Sequence, residues 1–263
     1  MNTNALDQGI ENFHVFIKTI LLFELAEKCE EEKDIFLKNT LAKTSSLLQS
    51  INLLNDSENY NDGWILYRAL TDRLAHVYYL EKNNSYEDFS KWTYICDFED
   101  NNKARSDPRF KRVLSNPHFH VDNEQLKKYN QYKKENIKWV RPDVKKIFKE
   151  EGLDFIYKFG YYHASKHTHP MFNDGNYEFH KITGLKPSPF DDFPSENLIR
   201  NSLLLSSMLA QTCLNFMTFK FRRVVYDYID SLRLTLDGNE TSFKLNFLKI
   251  VRNFVDKNIP LSE

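Results

Sequence analysis

The amino-acid sequence predicts an all-α protein, a single helical bundle of about seven to nine helices. Apolar residues recur at three- and four-residue spacing through most of the chain, as in helices that bury one face. Glycine and proline number only 7 and 8 in 263 residues, too few for the many turns of an all-β design. With 41% hydrophobic and 28% charged residues, the chain has the composition of a folded protein long enough to bury a core.

Residues 5–29 read as the first helix, with Ile10, Phe13, Ile17, Ile20, Leu21 and Leu25 at helical spacing. After the acidic run Glu30 to Glu32, a second helix at 34–54 carries Ile35, Leu37, Leu41, Leu47, Leu48, Ile51 and Leu54. Asn55-Asp56-Ser57 and Asn61-Asp62-Gly63 bracket a short connection, which favours an antiparallel pair with the third helix at 63–82. That helix is apolar through Trp64, Ile65, Leu66, Leu70, Leu74, Val77, Tyr78 and Leu80. Residues 85–115 begin as a helix and end in the turn signals Ser106-Asp107-Pro108 and Asn116-Pro117. The charged stretch 120–150 reads as a solvated helix or a projecting arm. Its Lys127, Lys128, Lys133 and Lys134, interleaved with Tyr129 and Tyr132, have the residue types that touch a phosphate backbone.

A helix opening at Gly152, with Leu153, Phe155, Ile156, Phe159 and Tyr162 as its apolar residues, is stopped or kinked by Pro170. A long irregular loop is expected over 171–195, from its Pro, Gly, Asn and Asp content, and is placed to cover a site. A long apolar helix at 196–232 and a last amphipathic helix with Phe243, Leu245, Phe247, Leu248, Val251, Phe254 and Val255 complete the chain. Within the apolar stretch, Ser206, Ser207, Gln211, Thr212 and Asn215 fit a buried core helix better than a membrane span. The surplus of apolar residues over 196–232 makes that helix the expected homodimer face. One domain, 1–263, is the economical reading, with its core in 34–82 and 152–235.

The net charge of −1 gives no basic excess of the kind that marks a dominant nucleic-acid surface. The odd, scattered Cys29, Cys96 and Cys213 suit a reducing compartment. The N-terminus has no basic n-region or small-residue cleavage site. A cytoplasmic location without membrane attachment is therefore expected, and no cofactor motif is present.

Chemistry concentrates in two stripes. Arg68, Asp72 and His76 recur every four residues on one stripe of the third helix. Tyr161, Ser165 and His169 have the same period at the end of the later helix, and His163 and His167 form a second i, i+4 pair on a neighbouring face. Four chemistries compete for this set. His163 and His167, with His169, Asp174 or His180, have the types for a divalent metal, yet the glutamate of the zinc-protease motif is absent between the pair. Ser165 as a nucleophile lacks the strand-to-helix elbow and a Gly-rich oxyanion loop. Arg68 with His169, helped by His76 and Tyr161, has the types for metal-independent cleavage of RNA: an imidazole near neutral pKa and a guanidinium for phosphorane charge. Finally, Arg68, Asp72, Ser165 and His169 could be a polar network that pins two helices together.

Residues 41–80, with Ser46-Leu47-Leu48 and Trp64-Ile65-Leu66-Tyr67-Arg68-Ala69-Leu70-Thr71-Asp72, resemble the bacterial domain-of-unknown-function family 5677. The family's pattern is similar to Leu-x-Arg-x-Leu-x-Glu on one helix and Ser-x-x-x-His on a later one, which Ser165 to His169 matches. Asp72 stands where the pattern has Glu. The resemblance spans 35–235 in outline and implies a helical bundle in which the two stripes face each other. Some members in turn look like the helical HEPN ribonucleases of toxin and phage-defence systems. In those, Arg and His lie a few residues apart on one helix, whereas here the nearest cation to His169 is Lys166. The expectation is an RNA-cleaving effector with Arg68 on phosphate, His169 as acid and base, and Asp72, Ser165, Tyr161 and His76 in support. The alternative is a non-enzymatic module whose seam holds an anion or is purely structural.

Overall fold

The computed structural model describes residues 3–20, 31–110, 121–135, 137–169, 172, 175–185, 195–217, 226–227 and 229–230. Among these the chain is all-α, with nine α-helices and no strand. The helices are α1 (Thr3–Ile20), α2 (Glu32–Asp56), α3 (Tyr60–Asn83), α4 (Tyr86–Ser106), α5 (Asn123–Lys134), α6 (Val144–Glu150), α7 (Tyr162–Lys166), α8 (Asn176–Thr183) and α9 (Ser195–Phe216). A 3-10 turn at Pro108–Phe110 follows α4, and a π-helical turn at Ile156–Tyr161 runs directly into α7. The chain forms two compact units, 1–78 with 143–263, and 79–142.

In the first unit α2 packs along α9, and α1 packs on both. The expected face of α2 is buried at Leu37, Leu41, Leu47, Leu48 and Ile51, as are Leu198, Leu203, Leu205, Leu209 and Leu214 of α9. Small hydroxyl residues share this core: Thr40, Thr44 and Ser45 on α2, Thr71 on α3, and Ser202, Ser206, Ser207 and Thr212 on α9. Several of these hydroxyls return to their own helix. Thr44 donates to the Thr40 carbonyl at 2.7 Å, Ser207 to Leu204 at 2.7 Å and Thr212 to Met208 at 2.9 Å. Across helices, His14 Nδ1 lies 2.7 Å from Ser45 Oγ and the Tyr78 hydroxyl 3.3 Å from that of Thr212. The serines and threonine read as interruptions of an apolar stretch are thus core residues. No helix among the described residues is long and apolar enough to cross a membrane.

Several boundaries differ from expectation. α1 is described as far as Ile20, and the expected remainder of that helix, 21–29, lies outside the described residues. α9 ends at Phe216 rather than near 232, and the last amphipathic segment, 243–255, also lies outside them. Of the leucines on α9, only Leu204 is exposed, so the apolar positions of that helix are taken up inside the chain's own core. The segment read as an irregular loop over 171–195 contains α8, bounded by two left-handed glycines, Gly175 at φ 81° and Gly184 at φ 70°. Glycine adopts that conformation without steric cost and so closes both ends of a short helix. Asn61 donates to Glu178 at 2.9 Å, and Lys181 donates to the Ser57 carbonyl at 2.7 Å, tying α8 to the α2–α3 corner.

In the second unit α5 lies along α4. Tyr129 stacks on Phe98 at 4.2 Å, Tyr132 meets Tyr94 edge-on at 5.6 Å, and Trp139 closes on Trp92 at 4.3 Å and Phe89 at 4.7 Å. Asp122 starts α5 with a capping box, accepting from the Gln125 amide at 2.6 Å while its own amide donates to the Gln125 side chain at 3.2 Å. Lys128 sits 5.0 Å over the Tyr94 ring and Lys133 2.7 Å from Glu99. The charged segment 120–150 therefore divides into α5, a stretch without regular secondary structure at 137–143, and α6.

Gly160, in the π turn, fixes the approach of that turn to α3. A Cβ at Gly160 would stand 2.5 Å from the Tyr67 hydroxyl and 2.9 Å from Tyr67 Cε1. Gly160→Ala is expected to destabilise the protein by about 1–3 kcal/mol through overpacking. Tyr67→Phe, which removes the nearest atom, should recover part of that loss. Urea unfolding of both single variants and the double variant measures the coupling.

Candidate functional site

The two expected stripes do meet, but not through all of the expected residues. Arg68, half-buried on α3, donates from one terminal nitrogen to the Thr168 hydroxyl and from the other to the Tyr161 hydroxyl at 3.3 Å. Its guanidinium carbon lies 5.1 Å over the Tyr161 ring, within cation–π range. Thr168 Oγ1 in turn donates to the Ser165 carbonyl at 2.8 Å, which fixes the acceptor that Arg68 uses. Among the described residues Arg68 makes no ion pair, so its partners are neutral hydroxyls and a ring face.

Asp72 reaches the same tyrosine. Burial, and then the Asp72 carboxylate, push the Tyr161 hydroxyl above the ordinary phenol range, while Arg68 pulls it the other way. The phenol therefore stays protonated and accepts from Arg68. One turn further along α3, His76 donates from Nδ1 to the Asp72 carbonyl oxygen at 2.8 Å.

Ser165 and His169 depart from the expected register. The Ser165 hydroxyl is committed to the Tyr161 carbonyl at 2.7 Å, so it points along its own helix rather than at Arg68. His169 is exposed, and no hydrogen bond joins it to Arg68. The π turn, closed by the Tyr162 amide on the Tyr157 carbonyl, puts an extra residue in the turn. One added residue rotates the next part of the helix by about 100°. α7 then stops at Lys166, and the amides of His167 and Thr168 close tight turns on Ala164 and Ser165, each at 3.2 Å. A residue before proline is also disfavoured in helical conformation, so the chain could not have stayed helical through His169 ahead of Pro170. Thr168 thereby takes the place expected for His169. Its signal in the sequence is that same proline: a helix that must end before residue 170 cannot hold an i+8 register.

His163 and His167 face each other edge-on at 5.1 Å, and His163 abuts Trp64 edge-on at 4.7 Å. Among the described residues no group of three or more histidines, cysteines, aspartates or glutamates is placed to hold a metal ion, and Asp174 lies outside them. His180 sits on α8. Burial against Trp64, followed by the charges of the neighbouring His167 and Lys166 side chains when protonated, holds the His163 pKa down at about 4, which makes it a neutral packing residue.

An all-α protein with an arginine–tyrosine–threonine seam between two helices is the class that fold and site define. A family model described as a family of unknown function (DUF5677) matches residues 34–183, and this covers Arg68, Tyr161 and Thr168 alike. That span is more than half of the 263 residues, and the chain belongs to this family. No curated protein and no solved structure matches the chain.

A histidine whose folded pKa is about 4 instead of 6.5 binds fewer protons folded than unfolded between those values. Its contribution to stability is complete above 6.5 and is lost as the pH falls towards 4. His163→Phe, which keeps an aromatic edge on Trp64, should lose less stability than wild type between about pH 7 and about pH 5. Denaturation midpoints at the two pH values test this, and equal losses in both proteins would contradict it.

Proposed function

We propose that the seam is an anion site for RNA and that the protein is a metal-independent RNA-cleaving effector of toxin or phage-defence type. The observation that carries this reading is the state of Arg68. It is a half-buried cation held in place by neutral partners, and no carboxylate ion-pairs with it among the described residues. A guanidinium fixed in that way keeps its charge for a phosphate, and its planar donors suit two phosphate oxygens. Tyr161, polarised between Arg68 and Asp72, holds the guanidinium plane.

His169 comes directly after Thr168 and is exposed, as a group that meets substrate must be. In the proposed reaction His169 accepts the proton of a ribose 2′-hydroxyl as that oxygen bonds to phosphorus. The bond to the 5′ oxygen breaks, and the same imidazole returns the proton to the departing oxygen. The products are a 2′,3′-cyclic phosphate and a 5′-hydroxyl. Arg68 stabilises the extra negative charge on the phosphorane. The likeness of some family members to helical HEPN ribonucleases supports this reaction class by analogy. A second reading has its own observation: the Ser165 and Thr168 hydroxyls are already satisfied within the seam, which suits a module that binds an anion without acting on it.

The readings differ in what two substitutions do. His169→Ala should reduce cleavage by about a hundredfold to ten-thousandfold, the range for loss of a positioned acid–base group, with helix content unchanged. Arg68→Ala should lose both binding and cleavage. RNA integrity, cyclic-phosphate ends and growth arrest on expression are the measurements. An inactive wild type that still binds RNA through Arg68 would favour the binding module.

A further inference from the structure

The fifteen residues from Phe155 to His169 contain no aspartate or glutamate, two lysines and five phenylalanines or tyrosines, in a chain whose net charge is −1. The rings fall into two sets. Tyr157 and Tyr161 stack at 5.5 Å and lead inward to Arg68. Phe155 and Phe159, with centroids 4.8 Å apart, and Tyr162 turn outward and are 73%, 64% and 58% exposed. The face that packs inward is made instead by Gly160 and Ala164, both buried.

The exposed rings are mixed with cations. Lys158 is exposed between Phe155 and Tyr162, and Lys166 Nζ lies 5.4 Å over the Tyr162 ring. Neither lysine forms an ion pair with any described residue. The core of a protein–protein interface is depleted in lysine, whereas surfaces that bind single-stranded nucleic acid combine stacking rings with cations that track the backbone. A duplex hides the faces of its bases and offers such rings nothing to stack on.

We propose that Phe155, Phe159 and Tyr162 form a base-stacking platform for single-stranded RNA, with Lys158 and Lys166 on its phosphates, beside the Arg68 seam on the same run of chain. This inference rests on RNA being the ligand of the seam, but binding and cleavage fail separately.

The test uses the full chain carrying His169→Ala, so that bound RNA stays intact, and fluorescence anisotropy of a labelled RNA strand alone and annealed to its complement. The single strand should bind about tenfold or more tightly than the duplex, and Phe155→Ser with Phe159→Ser should cost it about tenfold or more. Duplex binding and helix content should not change, because both rings are exposed. Phe159→Trp should retain binding. Lys158→Gln with Lys166→Gln should lower the salt dependence by about one to two phosphate contacts.

Equal affinity for single strand and duplex overturns the platform, as does a serine variant with unchanged single-strand affinity. A serine variant that turns a dimer into a monomer while RNA affinity holds makes this face a protein interface instead. Should the serine variant lose helix content, the lysine pair decides, and an unchanged salt dependence overturns the proposal. Intact platform binding in a wild type that yields no cyclic phosphate removes the cleavage reading and leaves the platform. Cleavage that survives the serine substitutions at unchanged KM does the reverse.

Discussion

The approach of the π turn to α3 at Gly160 is the constraint on which the candidate site depends. With only a hydrogen at that position, the backbone comes close enough to Tyr67 that a methyl group would overlap the phenol oxygen. Tyr67 itself is buried, and burial pushes its hydroxyl well above the usual phenol range, as expected for a ring sealed from water. Once Gly160 is against Tyr67, its neighbour Tyr161 has little choice of direction and lies against Arg68, one residue along α3 from Tyr67. Ala164, four residues on, continues the small inner face. The larger residues of the segment must then point elsewhere, and Phe155, Phe159 and Tyr162 point to solvent.

The cations of α4 and those of the seam live in different company. In 79–142, Lys91 lies between Glu87 at 2.7 Å and Glu135 at 2.6 Å, and those hydrogen bonds hold its pKa above the usual lysine range. Lys133 is matched with Glu99 and Lys103 with Asp100, each at 2.7 Å. Such exposed pairs contribute little stability, but they leave no net positive charge at those points. In 1–78 with 143–263, Arg68 has hydroxyls and a ring, and Lys158 and Lys166 have no carboxylate among the described residues. Charge compensation is thus concentrated along α4, at Lys91 and Lys103. Of the lysines that made α5 the more obvious basic candidate in the sequence, Lys133 is paired with a carboxylate and Lys128 lies over tyrosine rings.

The helices themselves were legible because a buried face imposes its period on the sequence. Leu37, Leu41, Leu48 and Ile51 on α2, and Leu70, Leu74 and Val77 on α3, are buried as their spacing requires. Pairing of the Arg68 and Tyr161 stripes was legible for the same reason. What failed was register beyond Tyr161. Periodicity assumes a uniform helix, and the π turn and the early stop at Lys166 break that uniformity within a few residues. The exposure of Phe155, Phe159 and Tyr162, apolar residues of that helix, has a related reason. Hydrophobicity identifies what prefers to be buried, while the space left by a glycine decides what can be. The small pair Gly160 and Ala164 was the signal that mattered, and it carries almost no weight on a hydrophobicity scale. α8 was missed because proline- and glycine-rich surroundings mask a helix of eight residues.

Net charge over a whole chain says little about one local site, for a physical reason. Charges act over about one Debye length, roughly 10 Å in ordinary salt, so a ligand at the seam senses its neighbourhood and not the whole chain. A total of −1 is compatible with a run from Phe155 to His169 that has no acidic residue. On the proposed reading the work is divided by depth. Exposed rings take bases at no cost in buried charge, and the half-buried Arg68 takes a phosphate whose charge it can match. Asp72 serves that arrangement best by acting on Tyr161 through its charge rather than pairing with Arg68, since a direct ion pair would have to be broken before any phosphate could enter. The shorter reach of aspartate, at a position where the family pattern has glutamate, is consistent with that indirect role.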